Sequence, residues 1–370
     1  MNIDEYKQKM NIDDNDLGWL WLDKFEFLNV NKKVKIREVV GKGSELFKLE
    51  KYSKQIIEIC GEDNFRKMQL DSNNFSLQLC FNEVVGYVDF ISIDNEAYPE
   101  SLRNIAVPPV VLYYKGDISL LKNRILALCG TRLFSPYGHQ VTNSFVNSFI
   151  NAGLTLMSGL NEGLDSVVHK IALEKGAKSI AVLSGGYNKI YPVHNTHLCK
   201  QIAKSGLVIS EWRPNKESYG FMFPIRGRIM MGLAEGLLVT EAGVKSGTRF
   251  LVDYAIESNK TVYAVPGNIT SYKSSFTNSL IKSCQSMMVT HPDDILNDMN
   301  VVYEAIKIKE DVSIDEAKIF AILDNIDTAH FDFIVVKTGL EPRRLLGLLT
   351  GLEIKGKVKK IPGNRFMKIV

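Results

Sequence analysis

No two cysteines stand at C-x-x-C spacing; the five, Cys60, Cys80, Cys129, Cys199 and Cys284, are odd in number and far apart. That argues against a disulfide framework or a zinc site and for reduced thiols in a cytoplasmic protein. No window approaches the roughly 18 consecutive apolar residues that a membrane span needs, and the polar, acidic start MNIDEYKQKMNIDDND does not read as a secretory signal. Common enzyme signatures are missing as well: G-x-x-x-x-G-K-[ST], G-x-G-x-x-G after a strand, H-E-x-x-H and G-x-S-x-G. Their absence disfavours an ATPase, a dinucleotide dehydrogenase, a zinc protease and an α/β-hydrolase. No catalytic residue, metal or cofactor is expected.

What is present is an ordinary globular balance, 45% hydrophobic and 24% charged over 370 residues, long enough for two or three domains. The net charge of +3 permits a nucleic-acid partner without requiring one. Residues 15–85 alternate short helical patterns with polar clusters, and Gly41 and Gly43 separate two of them. A helical N-terminal domain over 1–90 is expected, with a plain loop or a helix-hairpin-helix at those glycines. Residues 91–117 carry Pro99, Pro108 and Pro109 before VVLYY and read as an extended connector ending in a strand.

From 124 to about 292 apolar runs alternate with helical stretches, the pattern of an α/β fold with a mainly parallel sheet. Strands are expected at 124–129, 154–158, 179–183, 207–210, 236–240, 261–265 and 286–290, and Val141, Phe145 and Phe149 mark one buried helix face. A charged stretch, 301–312, reads as a linker. Residues 313–370 then show a Ser313/Glu316 capping box, a glycine stop at Gly339, a helix opened by Pro342 and two β-like segments about Pro362-Gly363-Asn364. Helix, helix-turn-helix and hairpin together describe a winged helix.

Ligands of open parallel sheets bind at the carboxyl ends of the strands, so the chemistry is sought there. Gly130-Thr131-Arg132 ends the first strand, and Ser135-Pro136 starts a helix whose N-terminus favours an anion. Ser158, Gly159 and Asn161 follow the next strand, with Asp165 and His169 one turn apart and suited to a structural hydrogen bond. Gly185, Gly186 and Lys189 follow another, flanked by Tyr187 and Tyr191. Arg226 and Arg228 bracket a glycine before a helix. Lys245, Ser246, Gly247 and Thr248, with Arg249 beside them, offer one more cradle for a phosphate. One such loop is a generic turn; several along one sheet edge suit a strand of phosphates, with Tyr187, Tyr191 or Tyr137 placed to stack on bases, although Tyr191 before Pro192 could equally pack a rigid loop.

The series GTR, SGLNEGLD, IAVLSGGYNKIYPVHN, ISEW, FPIRGRIMMGLAEGLLVTEA, SGT and YAVPGN, in this order, resembles the DNA-processing protein A (Smf) family. The resemblance runs from about residue 95 to the C-terminus, and the helical segment sits where many members carry a sterile-alpha-motif-like domain. It implies a Rossmann-like core over 91–300 that binds single-stranded DNA, dimerises, protects DNA in natural transformation and loads the RecA recombinase, with no known reaction. Arg132 falls on the family's phosphate-contacting arginine, and Gly159, Asn161 and Arg226 fall in its binding loops. Four positions depart from the family pattern: Glu162 stands for an arginine, Gly227 for an asparagine, Val193 for a frequently basic residue, and SGTRFLV for SGSLIT, which introduces Arg249.

Two rivals stay open. Glu241, Gly243 and Ser246-Gly247-Thr248 faintly resemble the site of Rossmann-like phosphoribohydrolases, although the Pro-Gly-Gly run of that group is missing. A winged-helix regulator would read duplex DNA through 341–356, but Leu345, Leu346, Leu348, Leu349 and Leu352 dominate that helix over Arg343 and Arg344.

Overall fold

The computed structural model describes residues 3–72, 74–302, 313–324, 326, 328–354 and 357–368. The chain divides into two compact units, Met1–Tyr303 and Glu304–Val370. The first is built on a nine-stranded sheet: β1 (Asp89–Ser92), β2 (Val111–Gly116), β3 (Ile125–Cys129), β4 (Thr155–Gly159), β5 (Ser179–Val182), β6 (Leu207–Ser210), β7 (Gly236–Val239), β8 (Thr261–Ala264) and β9 (Met287–Met288). Their spatial order is β1-β2-β6-β5-β4-β3-β7-β8-β9. Neighbours from β6 to β9 are parallel, while β2 pairs antiparallel with both β1 and β6.

The seven strands expected between 124 and 290 all form, the last shortened to two residues. They form because both faces are covered: Ile125, Ala127 and Cys129 enter one core, Leu126 and Leu128 the other. Helix Pro136–Asn151 puts Phe145, Val146 and Phe149 on the second core, and helix Met222–Leu233 puts Ile229, Met230 and Met231 on the first.

The stretch expected as a connector does more than connect. Tyr113 and Tyr114 pair with Ser210 and Ile209, so β1 and β2 extend the sheet. They also anchor the N-terminal helices: Trp19 Nε1 donates to Asp94 (2.6 Å), Tyr113 Oη to Asp23 (2.6 Å) and Tyr6 Oη to Asp89 (3.1 Å). Trp19, Leu20, Trp21 and Leu22 of helix Asp14–Asp23 lie in the same apolar cluster as Phe90 and Leu112. Gly41 closes helix Val30–Val40, and Gly43 opens a 3-10 segment, Gly43–Tyr52.

The second unit is a winged helix. Ser313 and Glu316 close the capping box on helix Ile314–Leu323, Gly339 takes the left-handed conformation (φ 67°) after helix Phe331–Thr338, and helix Pro342–Ile354 follows. A three-stranded sheet ordered β10 (Ala329–His330), β12 (Arg365–Lys368), β11 (Val358–Ile361) completes it, with the turn at Pro362-Gly363-Asn364. The leucine-rich helix is core: Leu345, Leu349 and Leu352 are buried against Ile319, Ile334 and Phe366. Arg344 pairs with Asp315 (2.5 Å). The expected linker falls, from residue 303, outside the described residues.

Candidate functional site

From β3 the chain runs to β4 on one side, while β7 lies on the other side of β3, so a crevice opens where the strand order reverses. A cleft of about 860 Å³ occupies that edge. Gly130, Thr131, Arg132, Gly159, Asn161, Arg226, Lys245, Ser246, Gly247 and Thr248, expected from four separate loops, line it together. Arg132 and Lys245 are exposed and make no hydrogen bond or ion pair among the described residues, whereas Lys273, at the same cleft, donates to the Phe134 carbonyl (3.2 Å). The rings on the walls are Tyr191, Phe223, Phe250 and Tyr272, the first two edge-to-face at 5.5 Å.

Other expected residues lie elsewhere. Ser158 is buried within the sheet and donates to the Leu128 carbonyl (2.7 Å). Gly185, Gly186 and Lys189 border a separate small hollow that shares Arg226 and Tyr191 with the cleft, and Lys189 faces Glu217 at 3.5 Å. Arg228 is a correction. Two residues beyond Arg226 on one helix turn a side chain by roughly 200°, and Arg228 points away from the cleft to Glu211, meeting both carboxylate oxygens at 2.6 Å. The stacking expectation is corrected in part: Tyr191 lines the cleft, Tyr137 and Tyr187 do not. Tyr137 donates to the Pro266 carbonyl (2.6 Å), and Tyr187 is half-buried. Phe223 and Tyr272 gave no signal, because neither sits in a strand-end loop.

The anion position expected at helix Pro136–Asn151 is filled by the protein itself. Glu241 accepts from Ser135 N (2.8 Å) and Ser135 Oγ (2.7 Å), and Ser135 Oγ accepts from Gly138 N (3.0 Å). Gly138 makes room for this carboxylate, since a Cβ there would lie 2.4 Å from Glu241 Oε2. The helix start at the cleft is instead that of Thr248–Glu257, whose cap Gly247 offers no side-chain acceptor and whose first N–H, of Thr248, donates to Ser246 Oγ (3.3 Å). Glu241 does not line the cleft, so the glutamate of the phosphoribohydrolase rival points the wrong way.

Under the cleft lies a buried ion pair. Arg226 Nη2 meets Asp165 Oδ2 at 3.4 Å and Arg226 Nη1 donates to the Val182 carbonyl (3.1 Å), while Asn161 Nδ2 donates to Asp165 (3.0 Å). Burial pushes the Asp165 carboxyl up and the Arg226 guanidinium down, each opposed by the other's charge. Asp165 and His169 have separate partners rather than the shared bond expected. His169 bonds Ser179 Oγ (2.9 Å) and the Gly159 carbonyl (3.0 Å). Because a carbonyl only accepts, Nε2 carries the proton and Nδ1 accepts from Ser179. The glycine at 159 admits Arg226, whose Nη2 would sit 2.1 Å from a Cβ there.

Gly163 joins the two main loops. Its φ is +88°, and a Cβ would lie 2.3–2.5 Å from backbone atoms of Thr131 and Arg132, while Leu164 N donates to the Thr131 carbonyl (3.2 Å). Gly163→Ala is expected to cost roughly 1–3 kcal/mol from backbone strain and to shift the Arg132 loop, read as a lower urea midpoint.

The departures from the family pattern have local explanations. Exposed Glu162 meets His194 at 3.1 Å on the rim. Gly227 faces the Tyr254 ring, which a Cβ would approach to 2.8 Å. Val193 and Arg249 are exposed and line no part of the cleft. Among the described residues no cluster of His, Cys, Asp and Glu suits a metal, and no helix is long and apolar enough to cross a membrane.

A Rossmann-like α/β sheet with a cationic, ring-lined cleft at its switch point, followed by a winged helix, defines the class. The chain belongs to the DNA recombination-mediator protein A family, whose model matches residues 89–300; the DprA winged helix domain matches 307–364. It is 36% identical over 183 residues to the DNA processing protein DprA of Bacillus subtilis, a match covering 49% of this chain and 62% of that relative. It is 29% identical to the protein Smf of Escherichia coli, over 81% of this chain and 82% of the relative. Among solved structures, DprA from Streptococcus pneumoniae superposes with a TM-score of 0.67 at 29% identity, covering 79% of this chain and 99% of that one. DprA from Helicobacter pylori, whose structure is described for its single-stranded DNA binding mode, gives 0.53 at 25% identity, covering 58% and 98%.

Proposed function

We propose that the cleft at the β4-β3-β7 edge binds single-stranded DNA without strong sequence preference. One observation carries this reading: two exposed cations without partners among the described residues, a helix start and four aromatic rings line one cleft. A strand offers phosphates to the first two and base faces to the rings, and stacking is sequence-tolerant because every base has a π-face. The likeness to the Helicobacter pylori protein supports the same ligand. In this reading Arg132, Lys245 and the Ser246-Gly247-Thr248 helix start hold phosphates, and Tyr191, Phe223 and Tyr272 take bases, while Arg226 braces the wall from its ion pair. Family membership supports the wider role: a homodimer that protects single strands in the cytoplasm and loads RecA during natural transformation.

For single strands, log affinity falls against log salt by about 0.7 per phosphate neutralised. Arg132→Ala is therefore expected to weaken oligo(dT) binding about tenfold at low salt, equally across sequences, and to reduce that slope by about 0.7. Fluorescence anisotropy over a salt series checks both, and an unchanged slope would remove Arg132 from the interface.

A further inference from the structure

Helix Met222–Leu233 is entered through a turn that forms part of the cleft rim. Ser218, Gly220 and Phe223 line the cleft, whereas Phe221 and Met222 line a second cavity, so the chain between them is a ridge. That ridge is firmly held. Met222 N donates to the Tyr219 carbonyl (2.9 Å), the Met222 side chain is fully buried, and Gly186 N donates to the Lys216 carbonyl (2.7 Å).

Two large rings stand on it in water. Tyr219 is 48% exposed and Phe221 59%, and their rings lie nearly parallel, 6° apart with centroids at 6.3 Å. Trp212 meets Phe221 edge-to-face at 6.4 Å, and Lys216 Nζ stands 5.6 Å from the Tyr219 ring centre. Their orientation is therefore set before any ligand arrives. The neighbouring cations are engaged: Lys216 with Glu26 (2.9 Å), Lys189 with Glu217 (3.5 Å) and Arg213 with Glu83 (2.7 Å). Exposed aromatic area among paired charges suits stacking rather than phosphate binding.

A strand longer than the cleft has to leave it over a rim. We propose that it leaves over this ridge, where Tyr219 and Phe221 stack on bases beyond the cleft, so that the binding track runs from Arg132 past Phe223 to these two rings. The inference rests on the single-strand reading of the cleft. Bases suit the rings because every base has a π-face, and rings already fixed in place lose little freedom on binding. Contacts made by rings add affinity without adding to the phosphates neutralised, so the salt slope does not change.

The test uses the full chain and oligo(dT) of two lengths, about 6 and about 20 nucleotides. Tyr219→Ala and Phe221→Ala, at exposed positions, should each weaken the long strand about fivefold or more, at unchanged salt slope, and leave the short one as it was. Arg132→Ala should weaken both lengths. Trp212 gives a second readout, because it touches Phe221 while Trp19 and Trp21 are fully buried. The long strand should quench its emission, the short one should not, and Trp212→Phe should abolish the difference. If Arg132→Ala acts on both lengths while the ring variants bind the long strand like the parent, the ridge is overturned and the cleft stands. If Arg132→Ala changes neither length, the cleft reading falls and the ridge with it. Ring variants that weaken both lengths alike, or that lose self-association instead of strand affinity, would also overturn the proposal.

Discussion

Arg226→Met is expected to lower stability by about 3–5 kcal/mol, the largest effect of any single change at the cleft wall. Methionine restores the aliphatic bulk but not the guanidinium. The Asp165 carboxylate, buried at 4% exposure, then keeps only Asn161 Nδ2 among its side-chain partners, and the Val182 carbonyl loses a donor. A pair taken out of water gains little over apolar packing, but one member left alone has no counter-charge where solvation is poor. Asp165→Asn in the same background should therefore return most of the loss. Urea unfolding reads it as a midpoint that falls in the single variant and recovers in the double, at unchanged slope. A midpoint as low in the double as in the single would show that packing around residue 226, rather than charge, sets the cost.

Acid should destabilise the protein through His169. This ring is fully buried, and burial holds its pKa down at about 4. The unfolded chain binds a proton near the ordinary value of about 6.5, so between the two values the unfolded state carries more protons than the native one. Stability is thus complete above about 6.5 and falls as the pH drops towards 4, by about 3 kcal/mol in all. His169→Gln, which can still donate to the Gly159 carbonyl and accept from Ser179, should remove this component and leave the slope due to carboxylates. Paired urea titrations from pH 7 to pH 4 give the difference. Equal slopes in both proteins would mean that the native ring titrates like an exposed one. Because His169 holds the Gly159 carbonyl at the end of β4, single-strand affinity of the folded protein should stay level over this window and fall only as the pH approaches the native value of about 4.

Much of the core was legible from local pattern. Strands buried on both faces need continuous apolar runs, and these placed β3 to β8 within a residue or so. The winged helix was legible for a related reason: its capping box, glycine stop and turn at Gly363 are local chemistry. β1 and β10 were not, since strands of four and two residues are held by partners distant in sequence, Leu112 and Tyr113 for one and Phe366 for the other. The cleft was partly legible. Strand-end glycines and arginines marked the loops, but the direction of each side chain depended on what else occupied the space.

Sequence by itself determined the family, the strand-helix alternation and the loops that carry the site, because these rest on period, turn residues and motif order. Only the tertiary structure decided which charges remain free for a ligand. Glu241 fills the helix start that the Gly130-Thr131-Arg132 turn leads into, Asp165 engages Arg226, and Glu211 engages Arg228, leaving Arg132 and Lys245 at the cleft without partners among the described residues. The physical reason is that an ion pair is set by separations of a few ångströms between residues 17 to 106 positions apart, a proximity that only the folded sheet creates.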